Sequence, residues 1–202
     1  MDDKCPLSVP TVNCGSSSLK VSLFEIEKDE RLKLSGEIER IGQKASYFRV
    51  KDSAGAVVLE QDEDLPTHDA ALELFFNWLE SCRGKAPLDA VGHRVVHGGA
   101  RFSQPARVTP ELVATLKELI PLAAEHLPQE IEGIETVSRL HPALFQAACF
   151  DTAFCRSMPQ VAQAYAIPNR FTQEGIIHYG FHGLSYECLV SRVECVMWEP
   201  GW

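Results

Sequence analysis

Apolar positions come early and with a period of two. Val9 to Cys14 is a short apolar run that ends in Gly15 and three serines. From Leu19 to Ile26 the chain alternates, with Leu19, Val21, Leu23 and Glu25 on one face and Lys20, Ser22, Phe24 and Ile26 on the other. Two such runs around a Gly/Ser turn predict a hairpin. Leu32 to Ile41 and Ala45 to Val50 extend the sheet, and Asp52-Ser53-Ala54-Gly55 is a turn before Ala56 to Glu60. Then the period lengthens. Between His68 and Cys82, Ala71, Leu72, Phe75, Phe76 and Leu79 recur at helical spacing, and Gly84 is the expected stop. Leu88 to Val96 reads as a strand running into His97-Gly98-Gly99. Thr109-Pro110-Glu111 is a helix start, an N-cap followed by proline, for a helix reaching about Ile120. A second helix is expected over Gln129 to Leu140, a strand over Ala143 to Phe150 and a helix over Ser185 to Val196.

This order predicts an α/β fold, a mixed sheet covered by helices. No internal repeat or low-complexity linker interrupts it. A domain boundary is expected where the last apolar strand gives way to Ser157-Met158-Pro159, separating residues 1–157 from 158–202.

Composition narrows the function. With 202 residues, 45% hydrophobic and 23% charged, the chain is an ordinary globular sequence. A net charge of -9 argues against a general nucleic-acid binder, which needs a basic footprint. An anionic substrate would have to meet a local cationic pocket. No stretch approaches the ~20 apolar residues of a membrane span, and the acidic start, Met1 to Pro10, is unlike a secretory signal. The seven cysteines (Cys5, Cys14, Cys82, Cys149, Cys155, Cys188, Cys195) are odd in number and form no CxxC pair, which points to reduced thiols in a cytoplasmic protein.

Four segments carry candidate chemistry. Asn13-Cys14-Gly15-Ser16-Ser17-Ser18-Leu19-Lys20 offers backbone N–H groups, hydroxyls and a cation to phosphate oxygens, although it is not a Walker A loop and serves equally as a plain hairpin turn. In Gly92-His93-Arg94-Val95-Val96-His97-Gly98-Gly99, an arginine on a core strand needs an anionic partner, either a bound carboxylate or phosphate or a protein carboxylate. In Cys149-Phe150-Asp151-Thr152-Ala153-Phe154, an aspartate ends an apolar strand, where α/β folds place their sites, and could be a base, an orienter of metal-bound water or a turn residue. In Tyr179-Gly180-Phe181-His182-Gly183-Leu184-Ser185, glycines flank an aromatic–histidine pair just before a helix.

Taken in order, NxGSSSxK, GHRVVHGG, FDTAF and YGFHGxS closely resemble the acetate kinase family over roughly residues 8 to 192. The resemblance implies the actin-like ATPase fold of the acetate and sugar kinase superfamily. It implies a phosphotransferase moving the γ-phosphate of ATP to a short carboxylate such as acetate or propionate, with Mg²⁺, in a homodimer. By the same resemblance Asn13 helps hold the magnesium ion, and Lys20, with Ser16 and Ser18 of the turn, approaches the nucleotide phosphates. Arg94 binds the acceptor carboxylate, and Val96 and Phe181 wall its methyl pocket. Asp151 is the acid/base residue and His182 stabilises the transition state. A carboxylate is already a nucleophile, so orienting Arg94 or hydrated Mg²⁺ suits Asp151 as well as proton removal does.

Several positions depart from the family pattern. Glu125 falls where a leucine lines the methyl pocket, Cys155 replaces a histidine, His178 an arginine and Leu184 a threonine. The likeness is expected to lapse after about Val193, so the chain reads as truncated before the nucleotide-binding half. On that reading it is either an acetate kinase-type enzyme in its parent form, or a non-catalytic remnant or interaction module with an anion-binding fold. Ile176, Phe181, Leu189 and Val193 are then expected to be partly exposed.

Overall fold

The computed structural model describes residues 5–84 and 86–197, the last four by backbone alone. The extreme start, the Cys195 side chain and the segment from Trp198 onward lie outside the described residues. The chain forms two compact units, residues 1–94 with 107–148, and residues 95–106 with 149–202.

The first unit is built on five antiparallel strands: β1 (Leu7–Cys14), β2 (Ser18–Ile26), β3 (Glu30–Glu39), β4 (Ser46–Asp52) and β5 (Val57–Glu63). After helix α1 (His68–Arg83), strand β6 (Ala90–Val95) pairs parallel with β1, Thr11 opposite Gly92 and Val12 opposite His93. Strand β7 (Ala106–Arg107), helices α2 (Pro110–Leu119) and α3 (Leu127–Leu140), and strand β8 (Phe145–Phe150) complete the order β5-β4-β3-β2-β1-β6-β8-β7.

Alternation decides which face is covered. Val12, Cys14, Leu19, Val21, Leu23, Ile38, Phe48 and Val50 are buried, and they join Leu72, Phe75, Phe76 and Leu79 of α1 in one core. Two glycines allow the close approach. A Cβ on Gly36 of β3 would lie 2.6 Å from the Phe75 ring, and one on Gly133 of α3 would lie 2.7 Å from Cys14 Sγ. Thr67 caps α1 by accepting from Ala70 N, and Gly84 ends it at φ 60°, left-handed. Helices α1 and α3 are tied by Asp69, which accepts from Thr136 Oγ1 and Arg139 Nη2, both at 2.6 Å. Those bonds hold the Asp69 carboxyl below its usual range.

The second unit holds the residues after β6, the end of β8, the short helices α4 (Gln160–Gln163) and α5 (Asn169–Gln173), and α6 (Gly183–Met197). Phe102 stacks on Phe150 at 4.9 Å, and Phe154 stacks on Tyr186 at 6.3 Å. Ile176, Phe181, Leu189 and Val193 are 47, 43, 58 and 53% exposed, as expected from the sequence.

The strands and the four helices predicted from the sequence are all present, with ends shifted by a few residues. α3 begins at Leu127 and α6 at Gly183, earlier than predicted, and β8 begins at Phe145, later. β7, α4 and α5 are too short to leave a periodic trace. Among the described residues no helix is long and apolar enough to cross a membrane.

Candidate active site

In the first unit the β1–β2 turn is fixed from within and from the helix side. Gly15 N donates to Ser18 O at 2.8 Å, and His68, the first residue of α1, donates from Nε2 to the Gly15 carbonyl at 2.7 Å. A Cβ on Gly15 would lie 2.6 Å from Ser18 Oγ, so the turn is closed on a glycine. Ser16 is exposed, and Ser17 and Ser18 are half-buried.

On the sheet face away from the helices the structure brings three candidates together. Arg94 Nη1 donates to Asn13 Oδ1 at 3.0 Å across the parallel β1–β6 pair. Asn13 is the register partner of Lys20 across β1–β2. Lys20 in turn pairs with Glu37 of β3 at 3.0 Å, both side chains largely exposed. Glu37 was not singled out from the sequence, although the alternation of β3, with Ser35 and Glu37 opposite the buried Ile38 face, was the signal available.

On the helix side of β6, His93 is buried and donates from Nε2 to Gln146 Oε1 at 2.7 Å. Gln146 Nε2 then donates to Ser138 Oγ at 2.9 Å. Burial pushes the His93 imidazole down to about 4, partly offset by that bond, so it is neutral at neutral pH. Cys14 is likewise a buried hydrophobe, its thiol pushed up to about 12 by burial and by Glu130 and Glu132.

The second unit gathers the remaining candidates. Asp151 is 1% exposed; its N–H donates to Val95 O at 2.9 Å and its carbonyl accepts from Gly183 N at 3.0 Å. Thr152, fully buried, accepts from Gly98 N at 3.0 Å. A Cβ on Gly183 would collide with the Asp151 carbonyl, so this glycine lets α6 begin directly against the aspartate. His182, exposed, sits at φ 59°, and its carbonyl accepts from Ser185 N and Tyr186 N to open α6. A left-handed non-glycine residue costs of order 1–3 kcal/mol, and such strain concentrates at functional positions. Val96 is buried, whereas Phe181 is 43% exposed and meets the His97 ring at 5.8 Å. His97 also packs on Tyr179, and its Nδ1 accepts from Gly99 N at 2.8 Å, which leaves the ring proton on Nε2. Burial lowers the His97 pKa. Thr152 and His97 carry structure that the motifs alone did not assign.

The pattern of a strand-bound arginine held by an asparagine, a serine turn, a buried aspartate and a strained histidine agrees with comparison to known proteins. The model of the acetokinase family matches residues 8–200. This chain belongs to the acetokinase family. The acetate kinase of Rhodopseudomonas palustris (strain TIE-1) is 43% identical over 188 residues, covering 90% of this chain and 46% of that protein. The acetate kinase of Methylocella silvestris is 42% identical over 196 residues, covering 92% and 48%. Among solved structures, Porphyromonas gingivalis acetate kinase superposes with a TM-score of 0.83 at 34% identity, covering 95% of this chain and 49% of its own. A propionate kinase from Francisella tularensis does so with 0.86 at 30%, covering 96% and 50%. The mixed sheet is therefore the acetate/propionate kinase fold, and the chain spans about half the length of the relatives it matches.

The family match runs to residue 200, past the point near Val193 where the likeness was expected to lapse. Of the departures from the family pattern, Glu125 is exposed in the turn before α3. Cys155 is half-buried and occupies the space a Cβ on Gly180 would need. The His178 N–H donates to Gln163 O at 2.7 Å, and Leu184 is half-buried.

Proposed function

We propose that this acetokinase-family chain carries the acceptor- and phosphate-binding part of a kinase. The kinase transfers the γ-phosphoryl group of ATP to a short carboxylate, giving ADP and an acyl phosphate. The observation that carries this reading is the Arg94–Asn13 hydrogen bond. It helps to hold the guanidinium, a planar fork, on the sheet face beside Lys20. A fork held in this way matches a carboxylate bidentately. The nucleophile is the acceptor's carboxylate oxygen. It attacks the γ-phosphorus, the bond to the β–γ bridging oxygen breaks, and ADP leaves with that electron pair.

In this reading Lys20, with the Ser16 and Ser18 hydroxyls, neutralises and orients phosphate oxygens, and Val96 and Phe181 bound the acceptor's alkyl group. Asp151 orients, and His182 donates to an equatorial phosphoryl oxygen. Among the described residues no three His, Cys, Asp or Glu side chains cluster to hold a metal. Mg²⁺ keeps waters and phosphate oxygens and takes few protein ligands. Asn13 Oδ1 is a hard oxygen that would be one of them. When bound, Mg²⁺ would supply charge neutralisation for the phosphate oxygens. The same reading makes residues 1–157 one domain and 158–202 the start of another, in a cytoplasmic homodimer.

The test joins this chain to the second half of the Rhodopseudomonas palustris acetate kinase and assays hydroxamate formation from acetate or propionate with ATP and Mg²⁺. Turnover is expected. Arg94→Ala is expected to cost on the order of 2–5 kcal/mol in kcat/KM for the carboxylate. An unchanged kcat/KM would overturn the assignment of Arg94.

A further inference from the structure

Next to Lys20, on the same sheet face of the first unit, β2, β3 and β4 form a groove of about 180 Å³ lined by Lys20, Ser22, Ser35, Glu37, Arg49 and Lys51. Register explains how distant residues meet here. Lys20 faces Glu37 and Glu37 faces Arg49 in one row, while Ser22 faces Ser35 and Ser35 faces Lys51 in the next. The first row is an alternating charge ladder, Lys20–Glu37 at 3.0 Å and Arg49–Glu60 at 2.7 Å. The second row is different. Lys51 makes no ion pair, and the Ser22 and Ser35 hydroxyls make no hydrogen bond, with any described residue. The Nε–H of Arg49 is buried with no hydrogen-bond partner. Buried donors are ordinarily satisfied, but this one lies out of solvent reach, so the uncommitted donors lining the groove are those of Ser22, Ser35 and Lys51.

The geometry points to a second oxyanion site here, one that takes a single phosphate-type group. Five lining side chains carry donors, three of them cationic, against the lining carboxylate of Glu37 and the Glu60 carboxylate that pairs with Arg49. Its volume is below the ~300–1,000 Å³ of pockets that enclose a drug-sized ligand. It therefore suits a tetrahedral oxyanion, not a nucleoside. The donors stand on paired strands, so little reorganisation is needed to receive one. Glu37 is the built-in competitor. It already neutralises Lys20, and an incoming anion displaces its carboxylate from that lysine. The site shares Lys20 with the reading above but does not depend on acyl transfer, and both free inorganic phosphate and one phosphate of a bound nucleotide chain have the required chemistry.

The experiment uses the 202-residue chain labelled with ¹⁵N, titrated separately with inorganic phosphate and with ATP, and with sodium chloride at matched ionic strength. Saturable shifts at the Ser22, Ser35 and Lys51 amides with phosphate are expected. Lys51→Ala should weaken the affinity about tenfold, the loss of one charge-assisted hydrogen bond. Glu37→Gln should tighten it, and Lys51→Arg should retain it, which separates lost binding from lost folding. Shifts with ATP alone would support the site and assign its anion to the nucleotide. Equal shifts with sodium chloride, no shifts with either phosphate source, or a Lys51→Ala chain that binds as before would each overturn it. If these amides stay unmoved while the joined enzyme makes hydroxamate, only this site falls. If they respond and the joined enzyme is inactive, the acyl-transfer reading falls instead.

Discussion

Single residues in this chain differ most in what surrounds them. Arg94 and His93 are neighbours on β6, yet one faces Asn13 and the other is buried against Gln146. The His93 environment makes a pH prediction. Its folded pKa, about 4, lies below the ordinary 6.5, so between those values the unfolded chain binds a proton that the folded chain refuses. Stability from this group is therefore fully present above about 6.5 and falls as pH drops toward 4, by on the order of 3 kcal/mol in all. Urea unfolding across that window should show the slope, and His93→Gln should flatten it relative to the parent. Glu125 makes a prediction for the acceptor. It is exposed before α3 and stands where related kinases are expected to carry an apolar wall. In the joined enzyme, Glu125→Leu should lower KM for acetate or propionate. A KM that stays or rises would mean that this carboxylate does not face the acceptor.

Elements are placed by glycines as much as by apolar faces. Helix α3 meets β1 at Gly133, where the Cys14 sulfur already fills the space a methyl group would take. Gly133→Ala would improve helix propensity in isolation, yet overpacking a core typically costs ~1–3 kcal/mol, and the second effect should win. The midpoint of urea unfolding should therefore fall with an unchanged m-value. A rise would show that α3 can shift outward freely. The same reasoning applies to α6, which starts at Gly183 because no side chain fits against the Asp151 carbonyl. From sequence, Gly133 lies within a predicted helix and Gly183 just before another. In the structure they serve close packing.

The first unit buries most of its large apolar side chains, whereas the second leaves many of its own exposed. Val161, Tyr165, Ile176, Leu189, Val190 and Val193 of the second unit are each at least 46% exposed. Exposed apolar groups of this number favour association. The 202-residue chain by itself is predicted to show a concentration-dependent mass in light scattering. It is also predicted to form no hydroxamate above background, because phosphoryl transfer rests on positioned charges, and losing even one oxyanion-type donor costs ~10²–10³ in rate. The chain spans about half of its relatives' length. Measured turnover by these residues alone would show that they suffice for the nucleotide as well.

What the sequence by itself determined is whatever depends on near neighbours. The alternation of Leu19, Val21 and Leu23 set the buried face of β2, the spacing from Ala71 to Leu79 set the buried face of α1, and Thr109-Pro110 set the start of α2. The four motifs, each within a dozen residues, were legible for the same reason, and their order pointed to the family. Tertiary structure decided the rest. Asn13 meets Arg94 across 81 residues because β6 returns parallel to β1. Lys20 meets Glu37 because β3 pairs antiparallel with β2 and sets the two residues opposite each other. His93 meets Gln146 because β8 returns beside β6. Such contacts are fixed by closing long loops and by packing a shared core, and a period of two or 3.6 along the chain carries no record of which distant strand will lie alongside.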